Sequence, residues 1–368
     1  MKKYEKIYAL LKTEILSGAY PYGARLPSKR TLAEENGVSL STAETALDIL
    51  RSEGYIDSAE RSGFFCAYRE SDFLFSAAGS VSGDSFTEDC FTVGSGSVAA
   101  AREETFPFTV YARAMRRVLA EYGEKLLEKP PKNGVPQLKS ALKNYLLRSR
   151  ALNVNENQIV IGAGAEYLYG VIAELLGTGR IYGTESPAYG QIARVYAAKG
   201  AQVRLLRIGA DGILSGELAA TDADVLHVTP YLSYPTLATA TATKKAEYLR
   251  FAREKNGYVV EDDYLSEFSP YAKPAETLFG ADEAGRVIYV NTFSKTLSPA
   301  LRAGYMLLPP ALAVRYEEEL GFYSCPVPAT EQYVLAALLS DGSFERHINR
   351  LRRRMRNAID KNKTEGTI

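Results

Sequence analysis

The chain of 368 residues has no tryptophan, two histidines and three cysteines, and its 44 Lys+Arg balance 44 Asp+Glu. Each scarcity narrows the field. With His227 and His347 as the only histidines, a histidine base or a histidine-rich metal site is a poor reading. Cys66, Cys90 and Cys325 lie far apart, which fits a reducing cytoplasm and neither a disulfide framework nor zinc. Zero net charge means that neither a basic coat nor an acidic tail dominates the whole chain. No apolar run approaches the roughly 18 residues that span a bilayer. The opening "MKKYEKIYALLKTEILSG" is interrupted by charge and does not read as a signal peptide. What is present is ordinary for a globular protein: 46% hydrophobic and 24% charged residues, with length enough for two domains. The 25 tyrosines leave aromatic stacking open.

Residues 1–68 read as three helices and a hairpin. Ile7, Leu10, Leu11 and Ile15 recur at helical spacing, and Gly18 stops that helix. Pro27-Ser28 starts a short helix ended by Gly37. The segment "GVSLSTAETALDILRSEG" begins another, with Ser41 and Glu44 at capping-box spacing and Ala43, Ala46, Leu47 and Leu50 on one apolar face. Two helices joined by "NGVS" fit a helix-turn-helix, and "YIDSAERSGFFCA" reads as a hairpin wing. A small helical protein-interaction domain is the alternative. The stretch "LPSKRTLAEENGVSLSTAETALDILRSEGYI" with the wing ending "RSGFF" resembles the winged helix-turn-helix of GntR-type regulators. That resemblance implies duplex DNA as partner. It implies that Arg30 contacts phosphate, that the recognition helix starts near Ser39 with Ser41 and Thr42 beside it, and that the wing at Arg61, Ser62 and Gly63 enters a groove. Leu40 and Glu44 stand where the family often has arginines. The module carries nine cationic and nine acidic residues. Its few cations must therefore share one face if it is to neutralise phosphates.

Residues 69–90, rich in Ser, Gly and acid, read as a linker. From residue 91 to 368, helical segments such as "MRRVLAEYGEKLL" and "LKSALKNYLLRSRAL" alternate with apolar runs. "QIVI", "RIYG", "QVRLL", "DVLHV", "GYVVED" and "RVIYV" read as strands, giving an α/β fold with a mostly parallel sheet. The turn Gly162-Ala163-Gly164-Ala165, between strand and helix, suits either an anion at a helix N-terminus or simple close packing. It has no Gly-Lys-Ser/Thr ending, and Tyr167 stands where a dinucleotide fingerprint needs its third glycine. Asp262 ends an apolar strand, where ligands bind in such sheets; a polar turn or a magnesium-binding aspartate is the alternative. Tyr189 in "ESPAYG" is, by itself, an aromatic in a turn. Lys295 in "VNTFSKTLSPALRAGY" is, by itself, a loop lysine.

Together these strand ends form the inventory of a pyridoxal-phosphate site. Lys295 would form the Schiff base, and Asp262 would keep the pyridine nitrogen protonated so that the ring acts as an electron sink. Tyr264 would bond the phenolic oxygen, and Tyr189 would stack on the ring. Arg302, Ser294, Thr292 and the Gly164, Ala165, Glu166 turn would hold the phosphate. The pieces "NGVPQLKSALKNYLLRSRALNVNENQIVIGAGAEYL", "ESPAYG", "VEDDYLSEF" and "TFSKTLSPALRAGYMLLP" resemble the fold-type I aminotransferase family. Joined to the GntR-type module, the chain resembles the MocR subfamily of transcriptional regulators. The resemblance implies pyridoxal phosphate as cofactor, an amino compound as possible effector, and a head-to-tail homodimer in the cytoplasm.

Three departures stand out. "TPYLSYPTLA" places Leu232, Ser233 and Leu237 where the family has a histidine, a glutamine and a glycine. "LLEKPPKNG" lacks a tyrosine common before Gly134. The sequence ends in "KTEGTI", where the family continues into a small domain that grips a substrate carboxylate. The expected function is therefore a regulator rather than a turnover enzyme, with no metal. The alternatives are an aminotransferase carrying a vestigial module, or a truncated, non-functional relative. Arg346, Arg350, Arg352, Arg353, Arg354 and Arg356 read as the solvated face of a final helix.

Overall fold

The computed structural model describes residues 3–52, 55–59, 63–68, 107–269 and 276–364. Among these residues the chain divides into two compact units. One gathers the residues up to Glu121 and those from Ala337 onward; the other runs from Tyr122 to Ala336. The linker expected at 69–90, along with Cys90, Arg61 and Ser62, lies outside the described residues.

In the first unit, α1 (Lys3–Leu16), α2 (Lys29–Glu35) and α3 (Leu40–Ser52) are followed by strands β1 (Ile56–Ala59) and β2 (Gly63–Cys66). Ile7, Leu11 and Ile15 of α1 meet Ala43, Ala46, Leu47 and Leu50 of α3 in one core. Leu10 does not join them: it is 50% exposed, because a fourth residue widens the stripe past the face that α3 covers. Ser28 caps α2 by accepting from the Thr31 N–H at 3.1 Å. The capping box expected at Ser41 and Glu44 is displaced. The helix begins at Leu40, and Ser39 Oγ accepts from the Thr42 N–H at 3.3 Å, so Ser41 already lies in the first turn. Strands β1 and β2 pair antiparallel, Ile56 opposite Cys66, as the two sides of a wing.

The same unit holds α4 (Phe108–Tyr122) up to Glu121, the end of α12 (Ala329–Ser340), and α13 (Ser343–Thr364). The arginines of α13 are not all solvated, contrary to the expectation from sequence. Arg346 is only 9% exposed; it donates to the Asp341 carbonyl and Ser343 Oγ and lies 5.5 Å over the Tyr55 ring. Arg353 donates to the Ala67 carbonyl at 2.6 Å and pairs with Asp57 at 3.3 Å. A linear run of arginines cannot reveal which of them a neighbouring turn will cover.

In the second unit, α5 (Pro136–Arg150) leads into β3 (Ile159–Gly162), α6 (Ala165–Leu176), β4 (Ile181–Ser186), α7 (Gln191–Ala198), β5 (Gln202–Gly209), β6 (Gly212–Ile213) and α8 (Ser215–Ala220). Then come β7 (Val225–Val228), α9 (Ala242–Glu254), β8 (Tyr258–Asp262), α10 (Leu278–Ala281), β9 (Val287–Thr292), β10 (Gly304–Leu307) and α11 (Pro310–Glu319). The strands form one eight-stranded sheet in the order β3-β10-β9-β8-β7-β4-β5-β6. The run β9-β8-β7-β4-β5 is parallel. Strand β10, missed in the sequence because it directly follows the lysine turn, is antiparallel to both β3 and β9.

Side-chain alternation assigns neighbours to opposite faces. Val225, Val260 and Ile288 enter the core shared with Leu168, Ile172 and Tyr196. Leu226, Val259 and Val287 enter the one shared with Tyr248 and Phe251. Both faces are thus covered by helices, which explains why β9 is buried at every position.

Candidate cofactor site

The functional candidates collect where the parallel strands end, the edge at which open α/β sheets bind ligands. Register brings them side by side. Gly162 at the end of β3 pairs with Gly304, Gly304 pairs with Thr292, and Asp262 on β8 pairs with Val290, two residues before Thr292. Thr292 is buried, Ser294 is partly covered, and Lys295 is exposed in the turn that follows β9.

The turn from β3 into α6 forms a cradle. Gly164 is the N-cap of α6 at φ +89°, a conformation that favours glycine. A Cβ there would sit 3.0 Å from Arg302 Nη2, so the missing side chain lets the guanidinium approach the backbone. Arg302, itself at φ 44°, donates to the Ala163 carbonyl at 3.4 Å and pairs with Glu166 at 3.4 Å. Ala165 and Glu166 open the helix, and their N–H groups have no partner within it. An exposed arginine beside free helix N–H groups is the donor set of an anion site. Tyr189 is 48% exposed, and its hydroxyl donates to Glu166 at 3.2 Å, which brings the aromatic plate to the cradle.

Asp262, the last residue of β8, is buried. Its Oδ2 accepts from the Tyr169 hydroxyl at 2.5 Å. Among the described residues its buried Oδ1 has no hydrogen-bond partner. Burial, the Asp262 charge and this bond push the Tyr169 pKa well above the usual phenol value, so Tyr169 stays a donor. His227 Nε2 lies 3.7 Å from Asp262 Oδ2, while Nδ1 bonds the Tyr196 hydroxyl at 2.8 Å. Tyr264 donates to the Leu232 carbonyl at 2.8 Å; burial, then Asp262, raises its pKa as well.

Sequence reasoning missed Tyr169, Tyr196 and His227. Each sits at an apolar position of a helix or strand, and only the need of a buried hydroxyl or imidazole for a partner could have marked it. The departures at 229–238 also take shape. Leu232 and Leu237 both adopt positive φ, 53° and 61°, uncommon for leucine. Ser233 Oγ donates to Glu185 Oε2 at 2.6 Å with both residues buried. Asp263, next to Asp262, faces a separate network. It pairs with buried Arg150 at 3.1 Å and accepts from Tyr289 at 2.7 Å. Among the described residues, no cluster of three or more His, Cys, Asp or Glu could hold a metal ion. Nor is any helix among them long and apolar enough to cross a membrane.

The sheet order and the cradle define an aminotransferase-type domain, and the first 68 residues define a winged helix. Comparison with known proteins agrees. The gntR family of bacterial regulatory proteins matches residues 3–66, and the aminotransferase class I and II family matches residues 88–364. The uncharacterized HTH-type transcriptional regulator YdeL of Bacillus subtilis (strain 168) is 30% identical over 354 residues, covering 95% of this chain and 76% of that protein. The probable rhizopine catabolism regulatory protein MocR of Rhizobium meliloti is 30% identical over 367 residues, covering 95% and 74%. Among solved structures, the alpha-aminoadipate aminotransferase LysN of Thermus thermophilus superposes with a TM-score of 0.58 at 26% identity, over 68% of this chain and 64% of that one. The chain thus spans about three quarters of these two regulators and just under two thirds of that aminotransferase. It belongs to the MocR subfamily, a GntR-type helix-turn-helix joined to an aminotransferase class I and II domain.

Proposed function

We propose that this chain is a DNA-binding transcription regulator whose aminotransferase-type domain holds pyridoxal phosphate and senses either that cofactor or an amino compound reaching it. The observation that carries the cofactor reading is Asp262 Oδ1, a buried acceptor with no partner, set at a strand end beside an anion cradle. A buried carboxylate oxygen left open is costly unless a ligand completes it. A protonated pyridine nitrogen is the donor that fits. LysN, similar in fold, was solved with N-(5'-phosphopyridoxyl)-L-leucine, which supports the same assignment.

In this reading Arg302, Thr292, Ser294 and the Gly164, Ala165, Glu166 turn hold the phosphate. Tyr189 covers the ring, Tyr264 faces its phenolic oxygen, and Lys295 supplies the amine that bonds the cofactor. The bound cofactor supplies a reactive carbonyl and an electron sink. The residues do the rest: Asp262 fixes the ring's orientation, and the Leu232–Leu237 wall limits what amine can approach.

The same proposal gives the module its role. Arg30 is exposed on α2; Ser39, Ser41 and Thr42 cluster at the exposed N-terminus of α3, with Ser39 Oγ 2.8 Å from Thr42 Oγ1. Those positions suit phosphate contact and base reading, respectively, with Gly63 opening β2 of the wing and Arg61 and Ser62, outside the described residues, preceding it in sequence. A homodimer in the cytoplasm would read two half-sites.

The test has two arms. Protein given pyridoxal phosphate turns yellow, and borohydride fixes the cofactor to Lys295; Lys295→Ala stays colourless. In gel-shift titrations, Arg30→Ala lowers affinity for all duplexes alike and reduces the salt slope by about one. A wild-type protein that stays colourless refutes the cofactor reading, and one that shifts no genomic fragment refutes the regulator. Rapid, repeated amino-group transfer without DNA binding would favour an aminotransferase instead.

A further inference from the structure

We infer that Tyr169, with the Tyr196–His227 pair behind it, is a positioning residue that orients Asp262 toward the cofactor ring. This rests on the cofactor reading above and deepens it.

A carboxylate on a strand end can rotate about its side-chain torsions, and a ring nitrogen needs one of its oxygens in one place. Tyr169 supplies the constraint. Its hydroxyl occupies Asp262 Oδ2 at 2.5 Å, so Oδ1 alone is left open. Tyr169 cannot itself rotate away, because it is fully enclosed and packs edge-on against His227, with ring centroids 4.8 Å apart. His227 is fixed in turn. The Tyr196 hydroxyl is buried and bonds His227 Nδ1 at 2.8 Å. With the phenol as donor, Nδ1 is the acceptor and Nε2 carries an N–H. Among the described residues that nitrogen has no hydrogen-bond partner, and it lies 3.7 Å from Asp262 Oδ2. The imidazole thus presents a positive edge to the oxygen that Tyr169 already holds, and both act on the side away from Oδ1.

The placement of Tyr169 adds a second point. It lies on α6, the helix whose first turn is the anion cradle, one turn after Glu166. One rigid helix therefore addresses both ends of the ligand: its N-terminus faces the phosphate, and its next turn sets the carboxylate that meets the ring nitrogen. Neither end can shift along the helix axis without the other.

The experiment compares two ligands on the full chain. One is pyridoxal phosphate; the other is the analogue in which C–H replaces the ring nitrogen, which has the same phosphate and aldehyde but nothing to give Asp262. Tyr169→Phe keeps the ring and its packing and removes only the hydroxyl. Expected is roughly tenfold weaker equilibrium binding of pyridoxal phosphate, the scale of one hydrogen bond to a charged group, with no change for the analogue. In an Asp262→Asn background the Tyr169→Phe change should add nothing further. His227→Asn should give a smaller loss with the same ligand selectivity, which keeps the test open if Tyr169→Phe folds poorly. Equal losses for both ligands would reduce Tyr169 to a packing residue and overturn the inference, as would unchanged pyridoxal phosphate binding. A wild-type protein that binds neither ligand brings down the cofactor reading itself, a result distinct from any variant effect.

Discussion

Asp262 and Asp263 are consecutive, both buried, and opposite in their surroundings. Asp263 is saturated: Arg150 at 3.1 Å, Tyr289 at 2.7 Å and the Ser266 N–H at 3.3 Å all address it. Arg150 also reaches Glu267 at 3.7 Å, and Glu267 accepts from Asn291 at 2.8 Å. Burial opposes the charge on Arg150, yet Asp263, Tyr289 and Glu267 together hold its pKa above the usual value. Asp262 keeps one oxygen without a partner among the described residues. A completed carboxylate is part of the scaffold; an incomplete one marks where the scaffold awaits something else. Asp262 is the last residue of β8 and Asp263 the first beyond it, so one residue's difference in position separates architecture from site.

The sharpest way to break this comparison is to remove Arg150. Arg150→Ala strands Asp263 and Glu267 without their cation and should cost about 3–5 kcal/mol of stability in urea unfolding. Asp262→Asn should cost under about 1 kcal/mol yet abolish tight cofactor retention. Equal destabilisation by the two changes would show that Asp262 is structural too. Next in size, Tyr289→Phe deprives Asp263 of one donor and should cost about 1–3 kcal/mol in the same measurement, with cofactor affinity kept.

A fourth buried carboxyl sharpens the contrast because, among the described residues, no cation pairs with it. Burial raises the Glu185 pKa from 4.5 to about 7, against the opposing hydrogen bonds from Ser233 and Thr229. Between those values the folded protein holds a proton that the unfolded chain has lost. Stability therefore falls as pH rises through that window. Melting temperature followed from about pH 5 to about pH 7.5 should decline less steeply in Glu185→Gln. Glu261, likewise pushed to about 7 by burial, leaves a residual slope in that variant. An unchanged slope in Glu185→Gln would mean that Glu185 titrates alike in both states.

The smallest stability effect belongs to the exposed pair Lys29–Glu44, 3.0 Å apart with both side chains half exposed. Glu44→Arg should change stability by at most about 1 kcal/mol. It should nonetheless tighten duplex binding at low salt, by replacing an anion on the recognition helix with a cation. Unaltered DNA affinity would show that this face of α3 does not meet the duplex.

Much of this was legible in the sequence because each candidate in the aminotransferase-type domain follows a strand or opens a helix. Strand ends are read from apolar runs, and the runs at 158–161, 257–262 and 286–290 needed no tertiary information. Cradle glycines and the Ser28 cap are local signals of the same kind. What escaped was set by partners distant in sequence. Tyr169 looked like one more apolar residue on α6 until Asp262, 93 residues away, appeared beside it. Arg150 read as the last turn of a helix, and its two carboxylate partners lie more than a hundred residues on. Strand β10 was hidden because its glycine and tyrosine continue the lysine motif. Ser39 took the cap from Ser41 because two nearby hydroxyl residues offer the same chemistry and only backbone geometry chooses between them.

Arg353 ties the carboxylate of Asp57 on β1 and the carbonyl of Ala67 just after β2 to α13. The wing is thus a shared part, fastened by a residue nearly 300 positions away in sequence. For anyone building chimeric regulators, a cut between β2 and α4 is the wrong one. A reader grafted without α13 leaves its wing strands without the arginine that braces them, and two hosts with unlike final helices will present the same reader differently to the same operator.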